Sequence, residues 1–332
     1  MMNRSALAPL LIALISIAAG CDRHTQSSES HKIRIGLLPK SKQLEYFTSC
    51  SKGAEEAAEK LGDVDLVYDG PSSDDPTAAA DLMNQWIAKR FDVIAVAPND
   101  PDVLAPVMIR ARGQGIHTLT WDTDAPAAAR EFFVNQATGE QIANALVDQM
   151  ARDLHEEGDV AIIMASATSA NMQEWVKYMT LRLIKYPKLH LVTAPQPSGE
   201  SHDRARQIAT DLLKAYPTLK GIWGISSESF PGAADAVRDA GKRGQVLVCG
   251  LSTPNVMKEY VHDGTVRSVI LWDTHALGAL TIYAAEAVAK GTLKPGATSF
   301  TCPLGTKKIE GDSILLGDIL VFTKDNIDQY NF

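Results

Sequence analysis

"FDVIAVAPNDPDVLAPVMIRARGQGIHTLTWD", residues 91–122, carries the pattern on which the fold turns. A short β-branched run, Val93-Ile94-Ala95-Val96, halts at Asn99-Asp100-Pro101, where an aspartate caps and a proline opens a helix. That helical stretch ends at Gly115, and a second apolar run, "IHTLTWD", follows at once. Two strands joined through a helix of this length make a βαβ unit, whose strands must run parallel.

Working outward, the same alternation fills the chain from Lys32 onward. "IRIGLLP" precedes the helical "SKGAEEAAEKLG", and "VDLVYDG" precedes "PTAAADLMNQWIAKR". The rhythm pauses near residues 135–138 and restarts with "DVAIIMAS", "LHLVTAP", "GIWGISS", "QVLVCGLS" and "VRSVILWD". Continuous apolar strands are what parallel sheets covered on both faces require. The expectation is an α/β fold of two parallel-sheet domains. The helix over residues 274–290 is expected to return to the first domain, and the last strand to belong to the second. The predicted boundaries are 32–136 with 274–308 for one lobe, and 137–273 with 309–332 for the other.

The 332 residues carry a formal net charge of −8, with 45% hydrophobic and 22% charged residues. That is ample for two cores, and the acidic balance without a Lys/Arg cluster argues against nucleic acid as a partner. Arg4 and the apolar "LLIALISIAAG" read as a signal peptide over residues 1–20, too short for a membrane span. "IAAGC" resembles a bacterial lipobox, which implies lipidation of Cys21, a tether over residues 21–31 and a membrane-anchored extracytoplasmic protein. Ordinary signal-peptidase cleavage near Ala19 is the alternative. Cys50, Cys249 and Cys302 are widely spaced and form no metal motif.

Ligands of open α/β sheets bind beyond the carboxyl ends of the strands. Here those ends carry Lys40, Asn99-Asp100, Trp121-Asp122-Thr123-Asp124, Ser166, Ser226-Ser227-Glu228 and Trp272-Asp273. Carboxylates take paired hydrogen bonds from neighbouring hydroxyls, and an indole covers the C–H face of a sugar. Taken alone, Asp122 reads equally well as a turn cap, Tyr46 and Phe47 as core residues, and Asp273 as part of a hinge.

"GLLPK", "YDGP", "AVAPNDPDVLAP", "TWDTDA", "STPNVMKEYV", "GTVRSVILWD" and "FTKDNIDQYNF" resemble the type I periplasmic binding proteins. The likeness is to the branch with the rhamnose-binding and autoinducer-2-binding proteins of ABC importers, and it spans almost the whole chain after the tether. It implies two Rossmann-like lobes joined by a three-crossover hinge, a monosaccharide-like ligand between them, an ABC permease as partner and a monomeric protein. It also implies ligand contacts at Lys40, at the aromatic pair Tyr46 and Phe47, at Asp122, and at the backbone of Pro231 and Ala233. Asp124 and Asp273 complete the candidates. The departure is at Asn171 and Met172, where autoinducer-2 receptors resemble "TDQNQWVK" with Asp and Gln. Losing that carboxylate and amide favours a rhamnose-type deoxy-sugar or a related pentose or hexose, with autoinducer-2 reception as the alternative.

No catalytic motif, cofactor loop or metal-ligand cluster is found, so no enzyme is expected. A glycosidase is the weaker alternative: it needs two carboxyls ~5–10 Å apart on opposite sides of a bond, whereas Asp122 and Asp124 share one strand end.

Overall fold

Strand and helix alternate as the sequence pattern requires, in a computed structural model that describes residues 32–332. The signal segment, Cys21 and the tether lie outside the described residues. In the first half, β1 (Ile33–Leu38), α1 (Glu45–Leu61), β2 (Val64–Tyr68), α2 (Pro76–Ala88), β3 (Val93–Val96), α3 (Pro101–Gly113), β4 (His117–Trp121) and β5 (Phe133–Asn135) follow in turn. The second half runs α4 (Gly139–Asp153), β6 (Glu157–Met164), α5 (Ala170–Leu183), β7 (Lys188–Leu191), β8 (Gln196–Pro197), α6 (His202–Ala215) and β9 (Leu219–Gly224). It continues with α7 (Ser229–Asp239), β10 (Leu247–Gly250), α8 (Pro254–His262) and β11 (Ser268–Leu271). The last part holds α9 (Thr274–Ala289), β12 (Ser299–Cys302), β13 (Gly305–Glu310), β14 (Ser313–Leu315) and β15 (Leu320–Thr323).

The first sheet has the order β2-β1-β3-β4-β5-β14-β13-β12, parallel from β2 through β14 and antiparallel at the β13–β12 edge. The second has β7-β6-β9-β10 in parallel, with β8 alongside β6, and single bridges carry it on to β11, which pairs antiparallel with β15. The chain passes between the two sheets after β5, between β11 and α9, and between β14 and β15.

Both faces of the first sheet are covered, which explains its unbroken apolar strands. Ile35, Leu37, Val93 and Ala95 pack into the cluster that contains α1 and α9. Their neighbours Leu38, Ile94 and Val96 join Met83, Trp86, Leu104 and Met108 of α2 and α3 on the other face. Each such Leu or Ile contributes ~1.5–3 kcal/mol by leaving water.

The expected boundary at residue 309 is corrected. β13 and β14 stay in the first sheet, with Ser313 to Leu315 in register against Phe133 to Asn135, and only β15 joins the second. The reason is local. Gly305 and Gly311, at φ 90 and 65, turn two tight hairpins, so this part of the chain escapes the strand–helix rhythm.

One helix contact sets the site. A Cβ on Gly53 of α1 would lie 1.9 Å from the His275 carbonyl oxygen, and one on Gly278 of α9 would lie 1.8 Å from the Cys50 carbonyl oxygen. Only glycine lets the two backbones approach so closely. Ser49 and Thr274 then share a buried 2.6 Å hydrogen bond. This crossing brings the first turn of α1, with Tyr46 and Phe47, against the segment that enters α9 through Trp272.

Candidate ligand site

The carboxyl end of β4 makes an uncommon turn. Asp122 has φ 62, and the Thr123 amide donates to the Trp121 carbonyl at 2.6 Å, which closes a three-residue γ-turn. Aspartate tolerates the left-handed region better than most residues, yet the turn is strained, and such strain clusters at functional sites. It swings the carboxyl inward, beneath Tyr46. Oδ1 accepts from the Tyr46 hydroxyl at 2.7 Å, and Oδ2 accepts from Thr123 Oγ1 at 3.1 Å. Lys40 Nζ, beyond the end of β1, stands 3.3 Å from Oδ2, and both side chains are largely buried.

Lys40 also reaches the second lobe. Its ammonium donates to Ser169 Oγ at 3.1 Å and to Asn171 Oδ1 at 3.4 Å, at the start of α5. On the opposite side the Trp272 indole donates to the Tyr46 hydroxyl at 3.0 Å. A continuous polar path therefore runs from the β11–α9 crossing through Asp122 to the second lobe. Burial, reinforced by the adjacent Asp122, pushes the Tyr46 phenol well above its ordinary value and keeps it a hydroxyl donor. Its ring meets Phe47 edge-on at 4.9 Å and Trp272 edge-on at 6.0 Å.

These groups line a cleft of about 610 Å³, open mouth included. Asp74, Ser41 and Leu44 extend the first-lobe wall. The second lobe adds Met172 and Trp175 from α5, Ser226 and Ser227 after β9, Leu251 after β10, and Leu271. Glu200 completes the lining from the loop between β8 and α6. Its Oε1 accepts from the Glu228 amide at 3.3 Å. Burial pushes its carboxyl up to about 7, opposed by Lys40 and reinforced by Glu228.

Of the residues expected from sequence, Lys40, Tyr46, Phe47, Asp122, Asn171 and Met172 are brought together here. Four are corrected. Asp124 is tied to the loop: it accepts from Thr120 Oγ1 at 2.6 Å and takes both arms of Arg130 at 2.7 and 2.6 Å. Arg130 continues to Asp312 in the β13–β14 turn. Asp273 caps α9, accepting from the Ala276 amide at 2.8 Å. Pro231 and Ala233 are buried within α7 and do not line the cleft. Trp121, which was not among the expected contacts, packs in the core, fully buried, with its indole donating to the Leu38 carbonyl at 3.2 Å. Ser169, Trp175 and Glu200 were missed. The only sequence signal for Glu200 is the turn-like "PSGES".

Known proteins share this fold. The chain matches the family model of the periplasmic binding protein domain over residues 35–293, and it belongs to that family. It is 30% identical to an ABC transporter solute-binding protein from Clostridium phytofermentas solved with bound L-rhamnose, with a TM-score of 0.85 over 90% of this chain and 98% of that one. The D-allose-binding periplasmic protein of Escherichia coli K12 is 28% identical over 244 residues, which is 70% of this chain and 77% of the relative. LsrB from Clostridium saccharobutylicum, solved with AI-2, shares the fold at a TM-score of 0.86 and 24% identity, over 90% of this chain and 100% of that one.

Proposed function

We propose that this chain is the extracytoplasmic receptor of an ABC importer, closing on one uncharged monosaccharide of the rhamnose type and presenting the closed form to a permease. The observation that carries this reading is the polar path Trp272–Tyr46–Asp122–Lys40–Ser169/Asn171, which draws on both lobes and lines one cleft. A ligand that adds hydrogen bonds to both ends of that path favours the closed state and shifts the population towards it.

The walls support the ligand class. Asp122, Lys40 and Asn171 form a polar pole, whereas Met172, Trp175, Ile225, Leu251 and Leu271 form an apolar wall. A deoxy-sugar has hydroxyls for the first and a methyl group for the second. We read the site as binding without catalysis, because Tyr46, Thr123 and Lys40 together hold the Asp122 carboxyl as a fixed hydrogen-bond acceptor. Anchoring through Cys21 and a monomeric state complete the proposal.

The test is a thermal-shift screen of ligand-stripped protein against L-rhamnose, D-allose, D-ribose, D-arabinose, polyols and AI-2, with calorimetry on each hit. A deoxy-sugar as the strongest stabiliser supports the reading; stabilisation by AI-2 alone, or by none of them, overturns it. Cys21→Ser should move the protein from the membrane fraction to the soluble one, and unchanged fractionation would remove the anchor from the proposal.

A further inference from the structure

We propose that Glu200 is a specificity-determining residue of the cleft, taking up one proton as the lobes close on an uncharged ligand. This rests on the ligand reading above and adds the chemistry of the second-lobe wall.

The backbone is the first observation. Among the described residues, five non-glycine positions have positive φ, and two of them, Asp122 at 62 and Glu200 at 52, are cleft-lining acids on opposite lobes. Gly199, at φ 68, precedes Glu200, so the chain makes two left-handed steps in succession. Left-handed backbone is costly for a glutamate and free for a glycine. The strain is tolerated at the one point that delivers this carboxyl to the cleft.

The surroundings are the second. Lys40 faces Glu200 from the end of β1, Asp74 from the β2–α2 loop and Glu228 from the β9–α7 loop. Glu228 in turn faces His202 at the start of α6 and Glu45 at the start of α1. Lys40 is already committed to Asp122, Ser169 and Asn171. Glu200 therefore meets two like charges, one shared cation and a single long backbone donor. A carboxylate so placed is destabilised when closure removes water, whereas the protonated acid is not, and its O–H can donate to a ligand hydroxyl.

The sign follows. With Lys40 bonded across to the second lobe and Glu200 half-buried, desolvation raises this carboxyl to about 7, and in an open, wetted cleft an ordinary glutamate titrates near ~4.3. Closure is therefore favoured below the lower value and penalised above the higher. Between them the affinity falls, by up to ~10-fold per pH unit. An anionic sugar acid would meet the same wall and be rejected.

The experiment is isothermal calorimetry of the purified chain with L-rhamnose and D-allose from pH 5 to 8, in buffers of differing ionisation enthalpy. Expected are uptake of close to one proton near pH 6 and affinity at least 10-fold weaker at pH 7.5 than at pH 5.5. Glu200→Gln should bind with an affinity that does not change with pH, and without proton uptake. A pH-independent wild type, or a Glu200→Gln variant that keeps the wild-type slope, overturns the proposal. If neither sugar binds at any pH, the ligand reading fails separately. Small-angle scattering of ligand-free protein then decides: a compaction at pH 5.5 relative to pH 8, absent in Glu200→Gln, upholds the role, and identical profiles overturn it.

Discussion

Asp122 and Glu200 present two versions of one device. Each is an acid held on left-handed backbone at the lip of a lobe, and each lines the cleft. They differ in what surrounds them. Asp122 has three side-chain partners brought by α1, β1 and its own turn, and the first of these, Tyr46, is itself fixed by Trp272. Glu200 has one backbone amide at 3.3 Å. The first lobe thus arrives with its polar groups already arranged, and the second leaves its acid to be completed by proton and ligand. Preorganisation on one side lowers the ordering cost of binding, while the other side keeps a response to conditions.

Substitutions at the two lips can break this contrast. Asp122→Ala should have the largest effect, weakening the strongest-binding sugar by ~100-fold or more through loss of its acceptor and exposure of unpaired donors on Tyr46 and Lys40. Its ligand-induced thermal shift should vanish while the far-ultraviolet circular dichroism spectrum stays that of the parent. Lys40→Met removes the link between the lobes, and a loss of ~10- to 50-fold is expected by calorimetry. Trp272→Phe keeps an aromatic ring but deletes the donor to Tyr46, so a change of ~3- to 10-fold in Kd is expected. Asp124→Asn is the sharpening control: affinity should stay within ~2-fold, and only the ligand-free melting temperature should drop, because its Arg130 pair lies outside the cleft and is partly exposed. Equal losses at Asp122 and Asp124 would dissolve the distinction between the two acids of "WDTD".

That distinction shows how far the sequence could be read. Strand ends are legible because a continuous β-branched run must finish where the polar residues begin, and this located Lys40, Asp122 and the serines after β9. What lay beyond reach was direction. Residues two apart on an extended strand share a face, but the γ-turn at Asp122 breaks that equivalence, so its carboxyl enters the cleft while that of Asp124 turns towards Arg130. The end of β13 and the whole of β14 were assigned to the wrong lobe because antiparallel pairing leaves no helix to count. Glu200 sits in a loop with no periodicity at all, and its importance comes from groups that converge on it only in three dimensions. Pro231 and Ala233 were carried over from a resemblance, and the packing of α7 places them in the core.

The crossing at Trp272 has one more consequence. Its indole donates to a phenol of the first lobe and stands 6.2 Å from Trp175 on α5 of the second. Two indoles at that separation couple electronically, and parting the lobes would break the indole–phenol bond and change the surroundings of the Trp272 ring. The protein therefore carries its own optical gauge of closure. Emission colour and near-ultraviolet ellipticity should report the lobes' separation in real time, with no dye attached.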